Sequence, residues 1–140
     1  MTLRLQVLDG SLTKSYELVG KMENYVSVTV LNDPKNEGRE VRTKIVQGAA
    51  KTKKEENRIV FNDVLEIPVS SNNARLLVRI MDEDMTSDDL CSEGYVNLGA
   101  CGCLSPQVNS YRLQMYLPAD KGKAPVGGSG GDLRFVTQYY

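Results

Sequence analysis

Short runs in which apolar and polar residues alternate recur along this chain, beginning with Leu3, Leu5 and Val7 interleaved by Arg4 and Gln6. A period of two sends successive side chains to opposite faces of an extended backbone, so each run predicts a strand with one buried face. Eight runs are legible: Leu3 to Leu8, Tyr25 to Leu31, Val41 to Val46, Ile59 to Ile67, Arg75 to Met81, Gly94 to Leu98, Tyr111 to Leu117 and Asp132 to Gln138. Turn-forming residues separate them, as at Asn32-Asp33-Pro34. No segment sustains a helical period. Regularly spaced short strands with turn-rich connections predict an all-β, eight-stranded antiparallel β-sandwich rather than a βαβ fold.

A chain of 140 residues suits one domain, here residues 1–140. The stretch from Pro118 to Gly131, containing Lys121-Gly122-Lys123 and Gly127-Gly128-Ser129-Gly130-Gly131, predicts a flexible connection before the last strand. It is not a phosphate loop, because no Lys-Ser or Lys-Thr follows the glycines and a strand comes next.

Composition removes several function classes. Histidine is absent, which takes away the usual general base of Ser-His and Cys-His catalysis and the usual zinc ligand. A net charge of −1 lacks the basicity of a nucleic-acid binder. No run approaches the roughly 20 apolar residues of a membrane span, and the start lacks the features of a secretory signal, so a cytoplasmic location is expected. In that compartment Cys91, Cys101 and Cys103 are expected to be free thiols, with Cys91 a small apolar filler or a redox-sensitive group.

Charge is distributed unevenly. Asp82-Glu83-Asp84-Met85-Thr86-Ser87-Asp88-Asp89-Leu90-Cys91-Ser92-Glu93 holds six carboxylates and no base, leaving roughly +5 on the rest of the chain. Crowded carboxylates either raise one another's pKa values or recruit a cation, and oxygen ligands in number suit calcium. Alternate residues at a strand end project to one side, which brings Asp82 and Asp84 together. The alternative is an acidic loop that simply faces water. An EF-hand spacing is also present, with Asp82, Asp84, Asp88 and Glu93 at loop positions one, three, seven and twelve. However, Ser87 stands where that loop needs glycine, and the flanks are patterned as strands rather than helices.

Three ordered segments resemble the C2 domain family, particularly its small stand-alone members. Tyr16 to Val26 is similar to the family's first calcium loop running into an Asp-Pro-Tyr-Val strand; Phe61-Asn62-Asp63 is similar to its Trp-Asn-Glu segment; and Val78 to Asp84 to its third-loop Asp-x-Asp. The resemblance covers nearly the whole chain, and the strand order it implies is type II. It implies calcium ligands at Glu17 and Glu23 in loop one and at Asp82, Asp84 and either Asp88 or Asp89 in loop three. Both loop-one aspartates of the family pattern are glutamates here, and Asn24 stands in place of its proline.

The function implied is that of a non-enzymatic, peripheral membrane-targeting module, cytoplasmic and reversibly attached to anionic phospholipid with calcium at its loop end. Leu18, Val19 and Met85 would insert apolar surface, or Leu18 and Val19 would plug the end of the sandwich. Arg42 and Lys44, read on one face of a strand, and Lys51, Lys53 and Lys54 in the next loop form a second candidate surface for lipid head groups, diluted by Glu40, Glu55 and Glu56. Asn62 and Asp63 are expected only to shape a strand turn or bulge. The competing function is a calcium-independent protein-protein interaction or scaffolding module. An Asp-x-Asp enzyme would need a substrate cleft for which the chain is short.

Overall fold

The computed structural model describes residues 2–12, 21–50, 58–83, 87–117 and 129–140, which form nine strands and no helix. These are β1 (Thr2–Ser11), β2 (Lys21–Leu31), β3 (Glu40–Arg42), β4 (Val46–Ala50), β5 (Arg58–Pro68), β6 (Arg75–Asp82), β7 (Asp89–Asn97), β8 (Asn109–Tyr116) and β9 (Ser129–Tyr139). All neighbouring pairs are antiparallel, in the order β3-β2-β6-β7-β8-β9-β1-β5, with β4 also on β2.

Between β7 and β8 the ladder narrows to one pairing, Glu93 with Tyr116. The hydrogen-bonded path folds there into two layers, β3/β4-β2-β6-β7 and β8-β9-β1-β5. Their inward faces meet in a single core, where Leu3, Leu5 and Val7 of β1 and Leu133 and Phe135 of β9 pack with Val26, Val28, Val30, Leu76, Val78 and Ile80. Each such side chain removed from water contributes about 1.5 to 3 kcal/mol, so the alternation read in the sequence is what drives the layers together. The C-terminal β9 pairs with the N-terminal β1 from Leu3–Tyr139 to Gly10–Leu133, which is the arrangement a type II order implies.

The expected strands are present; β1 runs on to Ser11 and β2 begins at Lys21, earlier than expected, and three further differences bear on the site. The run Val41 to Val46 is two strands, β3 and β4, so the sandwich has nine described strands rather than eight. Thr43 makes the break: its Oγ1, in place of a main-chain carbonyl, accepts the Val26 N–H at 2.9 Å, and Asp63 draws off the next amide, Lys44 N–H, at 2.8 Å. Asp63 thus has the shaping role expected of it, and Asn62 beside it adopts a positive φ of 45°.

The acidic stretch is also more regular than a loop. Asp89–Asn97 is β7, and Cys91 falls at the register shift between the Ile80–Ser92 and Met81–Leu90 pairs, so the extra residue is absorbed inside the strand and buried. Finally, β9 begins at Ser129, which places Ser129-Gly130-Gly131 in a strand; residues 118–128 of the expected connection lie outside the described residues.

Cys101 and Cys103 are joined by a disulfide across the turn that follows β7, so the expectation of three free thiols holds for Cys91 alone. The turn brings their Cα atoms to 5.4 Å, within bridging reach.

Antiparallel register gathers the ends of β1, β2, β6 and β7 at one pole. Ser11 pairs with Arg58, Asn24 with Asp82, and Asp82 with Asp89. The described strand ends that flank 13–20, 51–57, 84–86 and 118–128 all belong to this acidic pole. The turns at 32–39, 70–74 and 98–108 form the opposite one.

Candidate functional site

Asp82 closes β6 and is only 1% exposed. A carboxylate is held at such a position only with compensating partners. Its Oδ1 accepts the Glu23 N–H at 3.3 Å, and the Glu23 carbonyl accepts the Glu83 N–H at 2.8 Å. The start of β2 is thereby stitched to the end of β6. Glu23 and Asp82-Glu83, which lie far apart in the chain, meet at this stitch.

Asn24 lies opposite Asp82 in the ladder and is fully buried. Its Nδ2 donates to the Met81 carbonyl at 3.0 Å, while its Oδ1 has no hydrogen-bond partner among the described residues. On its other side Asp82 faces Asp89, whose side chain is exposed. Asp82, Asn24 and Asp89 are thus neighbours across the ladder that carry side-chain oxygens, the ligand type a hard cation such as calcium prefers. Among the described residues no three acidic or cysteine side chains converge on a metal-sized site.

Asp88 is engaged differently. It accepts the Tyr25 hydroxyl at 2.5 Å, and burial together with this carboxylate pushes the phenol up to about 12. The Arg42 guanidinium rests 5.2 Å from the centre of the Tyr25 ring and pairs with Glu40 at 3.2 Å. Arg42 is therefore a bridge within the sheet as much as an open cation.

Of the residues expected to form the site, Glu23, Asp82, Asp88 and Asp89 are gathered at the acidic pole. Glu17, Leu18, Val19, Asp84 and Met85 lie outside the described residues. Glu23 belongs to β2 rather than to a loop, with its side chain exposed. Arg42 and Lys44 do not share a strand face, because β3 ends at Arg42 and Lys44 falls in the break made by Thr43. Lys51, Lys53 and Lys54 also lie outside the described residues.

One cluster escaped the sequence reading. On the outer face of β8-β9-β1-β5, near the same pole, Arg134 donates to both oxygens of Asp9, one bond at 2.7 Å, while Arg58 reaches Asp9 at 2.9 Å and Asp132 at 3.4 Å. Arg112 and the Ser11 hydroxyl each meet Asp132 at 2.5 Å. The Arg134 bonds hold the Asp9 carboxyl below its ordinary value; at Asp132 burial pushes upward, but Ser11, Arg112 and Arg58 overcome it and the net shift is downward. With every acid matched to a base, the cluster is a clasp across four strands. No signal for it exists in local sequence, since its members are separated by up to 125 positions.

Comparisons with known proteins agree with this architecture. The family model described as C2 domain matches residues 1–115. A C2 domain of plant extended synaptotagmin 1 superposes with a TM-score of 0.72 at 10% identity, covering 99% of this chain and 95% of that one. A structure described as a C2 domain superposes at 0.60 with 20% identity over 99% of this chain and 96% of that one. Human GIVD cytosolic phospholipase A2, in complex with methyl gamma-linolenyl fluorophosphonate, matches at 0.64 with 18% identity; 99% of this chain corresponds to only 17% of that enzyme. No curated protein sequence matches the chain.

Proposed function

Because the chain belongs to the C2 domain family, whose members bind membrane lipids or proteins, we propose that it is a non-catalytic membrane-targeting module. In this reading its acidic pole takes calcium and docks reversibly, from the cytoplasmic side, on anionic phospholipid. The observation that carries the reading is the stitch between Glu23 and the buried Asp82, which lies across the ladder from Asn24, whose Oδ1 has no partner among the described residues.

Asp82 and Asp84, with Asp88 or Asp89 and with Glu17 and Glu23, would hold the cation. When bound, calcium cancels carboxylate charge and offers shared coordination to a phosphate head group. The chain's own part is preparatory. Asp82 is fixed in place by the β2 main chain, Asn24 Oδ1 has no hydrogen-bond partner among the described residues, and Asp89 sits across the ladder in reach of solvent. Without the cation, the same carboxylates repel an anionic surface, which makes attachment conditional. Leu18, Val19 and Met85 are assigned to apolar insertion, and Lys44, Lys51, Lys53 and Lys54 to head-group contact, each lysine adding about 1 kcal/mol near an anionic bilayer. Arg42 contributes less, since Glu40 already neutralises it.

Sedimentation with phosphatidylserine-containing vesicles tests the proposal. The protein is expected to pellet in calcium and to stay in the supernatant with chelator; failure to pellet in either condition overturns it. The second reading, a calcium-independent protein-interaction module, is favoured by the bond from Tyr25 to Asp88, which occupies one candidate ligand without a metal. That reading predicts no calorimetric response to calcium.

A further inference from the structure

At the opposite pole, the turn after β7 carries Cys101-Gly102-Cys103 in a disulfide. Its two sulfur-bearing residues are not equivalent. Cys103 is fully buried, whereas Cys101 is partly exposed and lines a cleft of about 330 Å³ with Tyr95, Tyr111, Leu113 and Phe135. The cleft exists because β7 and β8 part company below their single Glu93–Tyr116 pairing. The cleft therefore reaches Cys101 and not Cys103.

The turn is also held by bonds that do not involve sulfur. Cys101 N–H donates to the Asn97 carbonyl at 3.0 Å, Cys103 N–H to the Leu98 carbonyl at 3.1 Å, and Ala100 N–H to Asn97 Oδ1 at 3.2 Å. The Tyr111 hydroxyl donates to the Cys101 carbonyl, and Gly102 supplies the left-handed φ of 73° that the reversal needs. With the backbone fixed by these bonds, opening the disulfide leaves the two thiols facing each other at high effective concentration.

We propose that Cys101-Gly102-Cys103 is a thiol-exchange site that takes a glutathione-class thiol on Cys101 and releases it through Cys103. The incoming thiolate attacks Cys101 Sγ, forming a mixed disulfide; the Cys101–Cys103 bond breaks, and its electron pair leaves on Cys103, which is then protonated. A second thiolate attacks the mixed disulfide at the first thiol's sulfur and frees Cys101. The net result is one protein disulfide reduced and two small thiols oxidised to their disulfide. In the reverse direction, Cys103 thiolate attacks Cys101 of the mixed disulfide and expels the small thiol. Cys91, fully buried near the other end of β7, takes no part.

The test is to equilibrate the full-length chain in buffers of graded reduced-to-oxidised glutathione ratio, trap free thiols by alkylation, and map the modified peptides by mass spectrometry. The Cys101–Cys103 link is expected to open and close with the ratio. Cys103→Ser is expected to trap glutathione on Cys101, and Cys101→Ser to leave Cys103 at least about tenfold slower to react. Circular dichroism identifies variants that have kept the β signal, and only these are scored. Glutathione found on Cys103 of the unsubstituted chain, or on Cys91 of that chain or of Cys103→Ser, overturns the proposal, as does a pair that never links under oxidised glutathione.

Discussion

The main-chain N–H of Glu23 donates to the carboxylate of Asp82 across 3.3 Å, joining positions 59 residues apart at the acidic pole. Asp82 is thus both a structural acceptor and the most buried of the described candidate carboxylates. Asp82→Asn keeps an oxygen for Glu23 and removes the charge. The variant is expected to lose about 1 kcal/mol of stability and to bind calcium at least about tenfold more weakly. Denaturant melts and calorimetric titration of the same preparation separate the two effects. Unchanged calcium affinity would take Asp82 out of the ligand set.

Asp88 and Asp89 are distinguished by Tyr25. Asp88 gives an oxygen to the Tyr25 hydroxyl, while Asp89 lies across the ladder from Asp82 with its side chain in solvent. If Asp88 ligates the cation, Tyr25→Phe removes a competing donor and calcium binding tightens several-fold. If Asp89 does, Tyr25→Phe leaves the affinity alone and Asp89→Asn weakens it. The second outcome is expected, because Asp89 needs no bond broken first.

Most of the fold was legible because it rests on alternation. Leu3, Leu5 and Val7, or Val26, Val28 and Val30, declare their buried face without any knowledge of partners. What escaped depends on groups distant in sequence. The Val41 to Val46 pattern is continuous, yet Thr43 spends its hydroxyl on Val26 and Asp63 captures Lys44, so the strand breaks where no turn residue marks it. The same limit hid the clasp of Asp9 and Asp132 with three arginines, and hid the stitch that places Glu23 on a strand. At the acidic pole, the Asp-x-Asp spacing located Asp82, but its burial and the orphaned Asn24 oxygen are visible only in three dimensions.

Gly131 is required by geometry. Its φ of 102° lies where side chains are disfavoured, and a Cβ there would sit 2.0 Å from the Ser11 carbonyl oxygen, so β1 and β9 pack as they do because nothing is present. Gly131→Ala is expected to cost about 3 kcal/mol or more, or to prevent folding, because neither strand can move without breaking their shared ladder. Thermal melts of this variant and of Gly38→Ala provide the comparison. Gly38 has φ 79° but open space around it, so its substitution is expected to cost only about 1 kcal/mol.

The clasp predicts how stability depends on acid. Asp9 and Asp132 have folded-state pKa values below their ordinary 3.8, which means the folded chain holds their protons less tightly than the unfolded chain. Their contribution is therefore complete above pH 3.8 and is lost as pH falls through the lower folded values. Urea midpoints measured from pH 6 downward should be flat until about pH 4 and then drop. Asp132→Asn should lower the neutral-pH plateau by about 2 kcal/mol, since Arg58, Arg112 and Ser11 lose a charged acceptor at once. It should also make the acid limb shallower, because Asp132 no longer titrates and, among the described residues, only Asp9, Asp33 and Glu40 remain with lowered pKa values. A variant that loses the plateau but keeps the full acid slope would place the titrating group elsewhere and leave Asp132 as a hydrogen-bond acceptor only.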